Sequence, residues 1–311
     1  MGSLGGDMTL RVIRSVLARS LATVASVVLM GALAYGQETT PALLQIADRY
    51  WMQPDVVYAT ANNTQLKLDI WYPRDSQEPT PTVVFFHGGG WIFGAKEGAA
   101  YQLLPYLERG WRAVNVEYRM ASNSLAPAAV EDARCALRCV FRNAKQWKFD
   151  TSKIVLTGQS AGGHLALIAG MLPKGSSLDN RCYGDEDLRV AAIVNWYGIT
   201  DVNDLLQGPN FRNYAAMWMG SLPNASDIAR DVSPLTYAKK GAPAILTIHG
   251  DKDSVVPYSH ATRLKAELDK ASAPNKLYTI KGGDHGMFTQ DQYKAAYREI
   301  WTFLQESKVI N

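Results

Sequence analysis

Three groups of residues in this chain have the types and spacing needed for nucleophilic acyl transfer. Ser160 lies in Gly158-Gln159-Ser160-Ala161-Gly162, a G-x-S-x-G pattern; Asp251 and Asp253 lie in His249-Gly-Asp-Lys-Asp253; and His285 lies in Lys281-Gly-Gly-Asp-His-Gly286. A serine hydroxyl is a weak nucleophile at neutral pH. It needs an imidazole to take its proton and a carboxylate to fix that imidazole's tautomer and orientation. Of the five histidines, only His285 sits in a glycine-flanked loop after the last predicted strand, where its ring can reach a serine at another strand end. His87 follows the Thr82–Phe86 strand. His164, four positions after Ser160 on a helix, points back along the helix wall and suits packing or hydrogen-bonding support. His249, at the end of a buried run, reads as a satisfied structural group, and His260 as a surface helix residue. Asp253 is preferred to Asp251 because it lies further into its loop, with Pro257 closing the turn; Asp284, the neighbour of His285, reads as a loop cap. Ser160 is therefore the expected nucleophile, His285 the general base and Asp253 its orienting acid. The three follow one another in the order Ser, Asp, His, each after its own predicted strand.

A further signal is Phe85-Phe-His-Gly-Gly-Gly-Trp-Ile-Phe-Gly94. Three glycines directly after a strand leave bare N–H groups that can approach a ligand closely, as a tetrahedral oxyanion requires. Gly89 and Gly90 are the expected donors on this side, with the N–H of Ala161, at the start of a helix, as the other arm.

These residues need a scaffold with many strand ends on one side. Short β-rich runs occur at Asp55–Thr60, Leu66–Trp71, Thr82–Phe86, Ala113–Tyr118, Lys153–Thr157, Val190–Trp196, Ala244–His249 and Lys276–Ile280. Helical patterns occupy Ala128–Trp147, Ala161–Leu172, Tyr258–Lys270 and Gln290–Gln305. The first two runs, with Ala61-Asn-Asn-Thr64 between them, read as a hairpin; helical crossovers make the later pairings parallel. The expectation is an α/β fold: a mostly parallel eight-stranded central sheet with helices on both faces. The segment Asp201–Asp231, with Phe211, Tyr214, Trp218 and Met219, is too long for a simple connection and is expected to form a small cap over the pocket.

The His87-Gly-Gly-Gly90 run followed by Trp91, together with Gly158-Gln-Ser-Ala-Gly-Gly-His-Leu-Ala166, resembles α/β-hydrolase esterases of the hormone-sensitive-lipase-like superfamily, and most of all the bacterial bifunctional feruloyl and acetyl (acetylxylan) esterases. Further echoes are Val116-Glu-Tyr-Arg119, Glu131-Asp132, Trp196-Tyr-Gly198 with Asp201, and Ser233-Pro234 before Tyr237, so the likeness covers about residues 50 to 305. It implies a serine esterase acting through an acyl-enzyme on acetyl or feruloyl esters of plant polysaccharides or on small esters, with no metal or organic cofactor. Two alternatives stay open: an arylformamidase of the same fold, and a non-catalytic binding or adhesion protein on a hydrolase scaffold.

The first residues bear on compartment. Arg11, Arg14 and Arg19 precede the uncharged stretch Leu21–Ala34, which ends in small residues and is followed by polar Gln37-Glu-Thr-Thr. Residues 1–36 are read as a secretory signal peptide cut after Ala34 or Gly36, with an uncleaved anchor as the alternative and residues 1–7 as an upstream start or an expression scar. Residues 37–311 would then be a single catalytic domain, secreted or periplasmic, with no stable membrane association. Losing three arginines and one aspartate takes the formal charge from +3 to +1, which gives no reason to expect a nucleic-acid partner. The cysteines are Cys135, Cys139 and Cys182; either of the first two can pair with Cys182, and three buried thiols is the other reading.

Overall fold

Eight strands share one sheet, in the order β1-β2-β4-β3-β5-β6-β7-β8. A computed structural model describes residues 44–182 and 184–311, so the proposed signal segment 1–36 lies outside the described residues. The strands are β1 (Tyr50–Ala61), β2 (Thr64–Pro73), β3 (Thr80–Phe86), β4 (Arg112–Val116), β5 (Phe149–Gln159), β6 (Ala192–Trp196), β7 (Ala244–Gly250) and β8 (Asn275–Ile280). Among the described residues, the helices of seven or more residues are α1 (Ala128–Arg142), α2 (Ala161–Met171), α3 (Asn213–Met219), α4 (Ala225–Asp231), α5 (Ser259–Lys270) and α6 (Gln290–Glu306). β1 and β2 form the expected hairpin, β2 meets β4 antiparallel, and every later pairing is parallel. This is the α/β-hydrolase fold.

The parallel strands are buried on both faces, so they read as apolar runs rather than alternations. Val83, Val84, Phe85 and Phe86 of β3 and Ile154, Val155 and Leu156 of β5 are all buried. The helix α2 follows β5 directly and is apolar all round, as a helix enclosed in a core should be. Residues Tyr50–Asn311 make one compact unit, and residues 44–49, a helical turn, belong to the other.

Two expectations are corrected. The helix predicted over Ala128–Trp147 stops at Arg142: Asn143 turns its side-chain amide onto the Cys139 carbonyl, 2.8 Å away, and the chain restarts as a separate turn at Ala144–Trp147. His260 is not a surface residue but fully buried, because α5 packs its His260, Leu264 and Leu268 face inward. The cysteine alternatives resolve as a Cys135–Cys182 disulfide, with Cα atoms 5.4 Å apart and Cys139 free.

Candidate active site

Ser160 occupies the turn between β5 and α2 with φ +54° and ψ −119°, a conformation a non-glycine residue holds only when its surroundings impose it. What imposes it is close main-chain packing. Gly158 and Gly162 face each other and the Phe86 carbonyl so closely that a Cβ on either would collide with backbone. The Ser160 N–H is tied to the Trp196 carbonyl of β6 at 2.9 Å. The glycine loop after β3 presses on the same turn: a Cβ at Gly88 would sit 3.0 Å from the Gln159 carbonyl oxygen.

Gly89 and Gly90 have φ of +119° and +59°. In the described turns and loops their amides, and that of Ala161, donate to no main-chain carbonyl, while the Gly89 carbonyl accepts from Ile92 and Phe93 to close the turn. The three predicted oxyanion residues thus carry spare N–H groups; Gly89 and Gly90 line the same cavity as Ser160, and Ala161 is the first residue of α2 beneath it.

The expected acid and base, Asp253 and His285, lie in the loops after β7 and β8. His285 Nδ1 donates to Asp253 Oδ2 at 2.8 Å, leaving Nε2 as the ring nitrogen free for chemistry. Asp253 Oδ1 accepts from the amides of Val255 and Val256, both at 2.8 Å. Burial of the carboxylate opposes its charge, but the hydrogen bonds and charges of His249 and His285 outweigh that and hold Asp253 well below the usual carboxylate range. Asp251 points elsewhere, to Gly282 and Lys281. Asp284 caps the loop as expected, accepting from the amides of Ser254 and His285.

Ser160 and His285 face one cavity of about 360 Å³, whose walls add Gly88 to Gly90, Phe93, Gln159, Tyr197, Tyr214 and Val255. A cavity of about 350 Å³ lined by Arg134, Lys174 and Arg189 is as large, so chemistry rather than size marks the site. The cap segment contributes Tyr214, whose ring rests on Gly90 and whose hydroxyl is buried with no hydrogen-bond partner among the described residues. Trp218 and Met219 are core instead: Trp218 stacks on Trp91 at 4.1 Å. Arg212 ties this segment to the acid loop through the Val255 carbonyl, 2.7 Å away.

His164 does support work, as its position on α2 implied. It accepts from Trp91 Nε1 at 3.2 Å and donates to the Val232 carbonyl at 2.7 Å, and burial pushes it down to about 4. His87 stacks on Tyr118 at 4.4 Å and donates to the Gly88 carbonyl, bracing the glycine loop. Sequence reading missed Tyr197, whose ring edge meets His285 at 4.7 Å; the Trp196-Tyr-Gly198 run at the end of β6 was its only signal. Among the described residues, no group of three side chains is placed to hold a metal ion.

The BD-FAE family model matches residues 68–268. The chain belongs to the BD-FAE family. Esterase LipC of Mycobacterium tuberculosis is 28% identical over 70% of this chain and 56% of its own length. A probable isoprenylcysteine alpha-carbonyl methylesterase of Oryza sativa is 28% identical over 81% of this chain and 63% of its own length. The BD-FAE chain therefore spans little more than half the length of the curated relatives it matches. Among solved structures, a truncated carbohydrate esterase from gut microbiota superposes with a TM-score of 0.69 at 28% identity, over 83% of this chain and 96% of that one. Thermogutta terrifontis esterase 2 with butyrate bound also gives 0.69, at 26% identity, over 81% and 93%.

Proposed function

We propose that this protein is a serine carboxylic-ester hydrolase that works through an acyl-enzyme on acetyl or hydroxycinnamoyl (feruloyl) esters, either small or attached to plant polysaccharide. The observation that carries the reading is the buried Asp253 holding His285 by Nδ1 while His285 and Ser160 face one cavity edged by spare amides. Ser160 Oγ attacks the ester carbonyl carbon as His285 Nε2 takes its proton. The carbonyl oxygen becomes an oxyanion held by the amides of Ala161 and of Gly89 or Gly90. His285 then returns the proton to the departing alcohol. Water, deprotonated by the same nitrogen, attacks the acyl carbon, and Ser160 regains its proton as the acid leaves.

The substrate class is supported by the walls: Phe93, Tyr197 and Tyr214 give an aromatic pocket suited to a planar acyl group, and the unpaired Tyr214 hydroxyl offers a hydrogen bond to a substrate oxygen. The solved neighbour named as a carbohydrate esterase supports it as well. Export is supported by the leader-like residues 8–36 and by the Cys135–Cys182 disulfide, a bond that persists in oxidising compartments.

The test is a panel of acetyl, butyryl and octanoyl p-nitrophenyl esters, acetylated xylan, methyl ferulate and N-formylkynurenine, each run beside Ser160→Ala. Hydrolysis of acetyl or feruloyl esters that vanishes in Ser160→Ala is expected. Faster cleavage of the formamide than of every ester, or full turnover by Ser160→Ala, would overturn the proposal.

A further inference from the structure

The carboxylate of Asp253 is fully enclosed, and an ionised carboxylate presents about four acceptor positions. Three are taken by the Val255 amide, the Val256 amide and His285. The fourth faces His249: its Nε2 lies 3.1 Å from Asp253 Oδ2 and 3.1 Å from the Val256 carbonyl, so one N–H is shared between the carboxylate and the turn that presents it. His249 is completely buried and its Nδ1 has no partner among the described residues. A ring placed only to satisfy a core would use both nitrogens or be apolar. Here both polar contacts of the imidazole, Asp253 Oδ2 and the Val256 carbonyl, are made through Nε2 on the acid-loop side, with Nε2 carrying the proton and Nδ1 bare.

We propose that His249 is a positioning residue for the reaction: it completes the coordination of the Asp253 carboxylate, fixing Oδ2 on the line to His285 Nδ1 and sharing part of its negative charge. The inference rests on the reading of Asp253 as the orienter of His285. The residues around His249 fit the role. Tyr258 meets the ring edge-on at 5.7 Å. His260, the other nearby imidazole, accepts at Nδ1 from the Thr200 amide at 3.0 Å, and its Nε2 lies 3.2 Å from Asp204, so its polar contacts are made away from Asp253. Beyond it stand Asp201 and Arg263, which pair with each other. Asp253 and, through it, His285 are the reacting-side groups that His249 faces.

Losing the Nε2 donor leaves an acceptor position of a buried carboxylate unpaired and frees the group to rotate. It also returns charge to Oδ2, which strengthens the pull on the His285 proton. Three enzymes are compared by full pH profiles of kcat and KM for p-nitrophenyl acetate: wild type, His249→Phe and His249→Gln, the last keeping an N–H near the Nε2 position. His249→Phe is expected to lose roughly 10- to 100-fold in kcat with KM little changed. Its acid limb should move up by roughly half a pH unit, with His249→Gln regaining most of the loss. A folded His249→Phe with wild-type kcat and profile would overturn the proposal, and so would a His249→Gln no better than His249→Phe. Should His249→Phe not fold, nitrogen NMR of the wild-type enzyme decides: a protonated Nε2 and bare Nδ1 on His249 supports the role, and the reverse tautomer contradicts it. Ser160→Ala and Asp253→Asn run alongside; if they keep full activity, it is the underlying catalytic reading that fails instead.

Discussion

On the β3–β5 side of the cavity, Ser160 and the glycine loop are held by main chain: a +54° φ, glycines in contact with backbone, and amides with no other acceptor. On the β7–β8 side, His285 is held by side chains: Asp253 bridges it to two amides and to His249. The first side lines the cavity with no acid or base of its own, since His87 and His164 stand behind it. The second places protons, and its competence depends on which atoms carry them. The two halves should therefore fail differently when damaged.

The largest effect is expected from Asp253→Asn, which keeps the shape of the acid–base side but removes its charge and offers His285 a donor where an acceptor is needed. Activity should fall about 10⁴-fold, in kcat rather than KM. Stopped or steady-state rates across a pH series would show a profile changed in shape. Next is Gly89→Ala on the main-chain side. Its φ of +119° is foreign to alanine and the added Cβ meets the Phe93 carbonyl, so the loop must move and an oxyanion donor is displaced. A loss of about 10²- to 10³-fold is expected, equal at every pH. A pH-dependent loss in Gly89→Ala, or a pH-independent one in Asp253→Asn, would dissolve the distinction between the two sides.

Much of the main-chain side was legible in the sequence, because glycines at 88–90, 158 and 162 and a run of β-formers before each are local signals. The acid–base side was legible only in part. Its residues are brought together by β7 pairing with β8 over a separation of about thirty residues, and no spacing rule shows that His249 and His285 meet on one carboxylate oxygen. His260 was misread for want of one pattern: its spacing with Leu264 and Leu268, four and eight residues on, marks a buried helix stripe. The break in α1 had no signal beyond Asn143 itself, a residue able to compete for the helix's carbonyls.

Two smaller effects separate stability from chemistry. Cys182→Ser opens a loop of sequence separation 47 and should cost about 3 to 4 kcal/mol in denaturant unfolding, with kcat nearly unchanged since neither cysteine lines the catalytic cavity. The smallest is an acid effect of burial. His164 is lowered from 6.5 to about 4 by desolvation, so the unfolded chain binds a proton before the folded one does. Stability is then whole above about 6.5 and falls as pH drops from there toward 4, by on the order of 2 to 3 kcal/mol. Urea midpoints at about pH 7 and pH 4.5 measure it; equal midpoints would contradict the burial argument. Asp253 adds the same sign at lower pH: its depressed value contributes stability above the ordinary aspartate range that is lost as pH falls below it.

The nucleophile proposed is Ser160, and covalent labelling identifies a nucleophile without recourse to rates. Enzyme treated with paraoxon, a phosphate triester that traps activated serines, should take up one diethyl phosphoryl group per chain as esterase activity disappears in proportion. Peptide mapping should place it on Ser160, and Ser160→Ala should remain unlabelled. Labelling at another residue with activity lost in step, or full activity after Ser160 is stoichiometrically modified, would rule Ser160 out as the nucleophile.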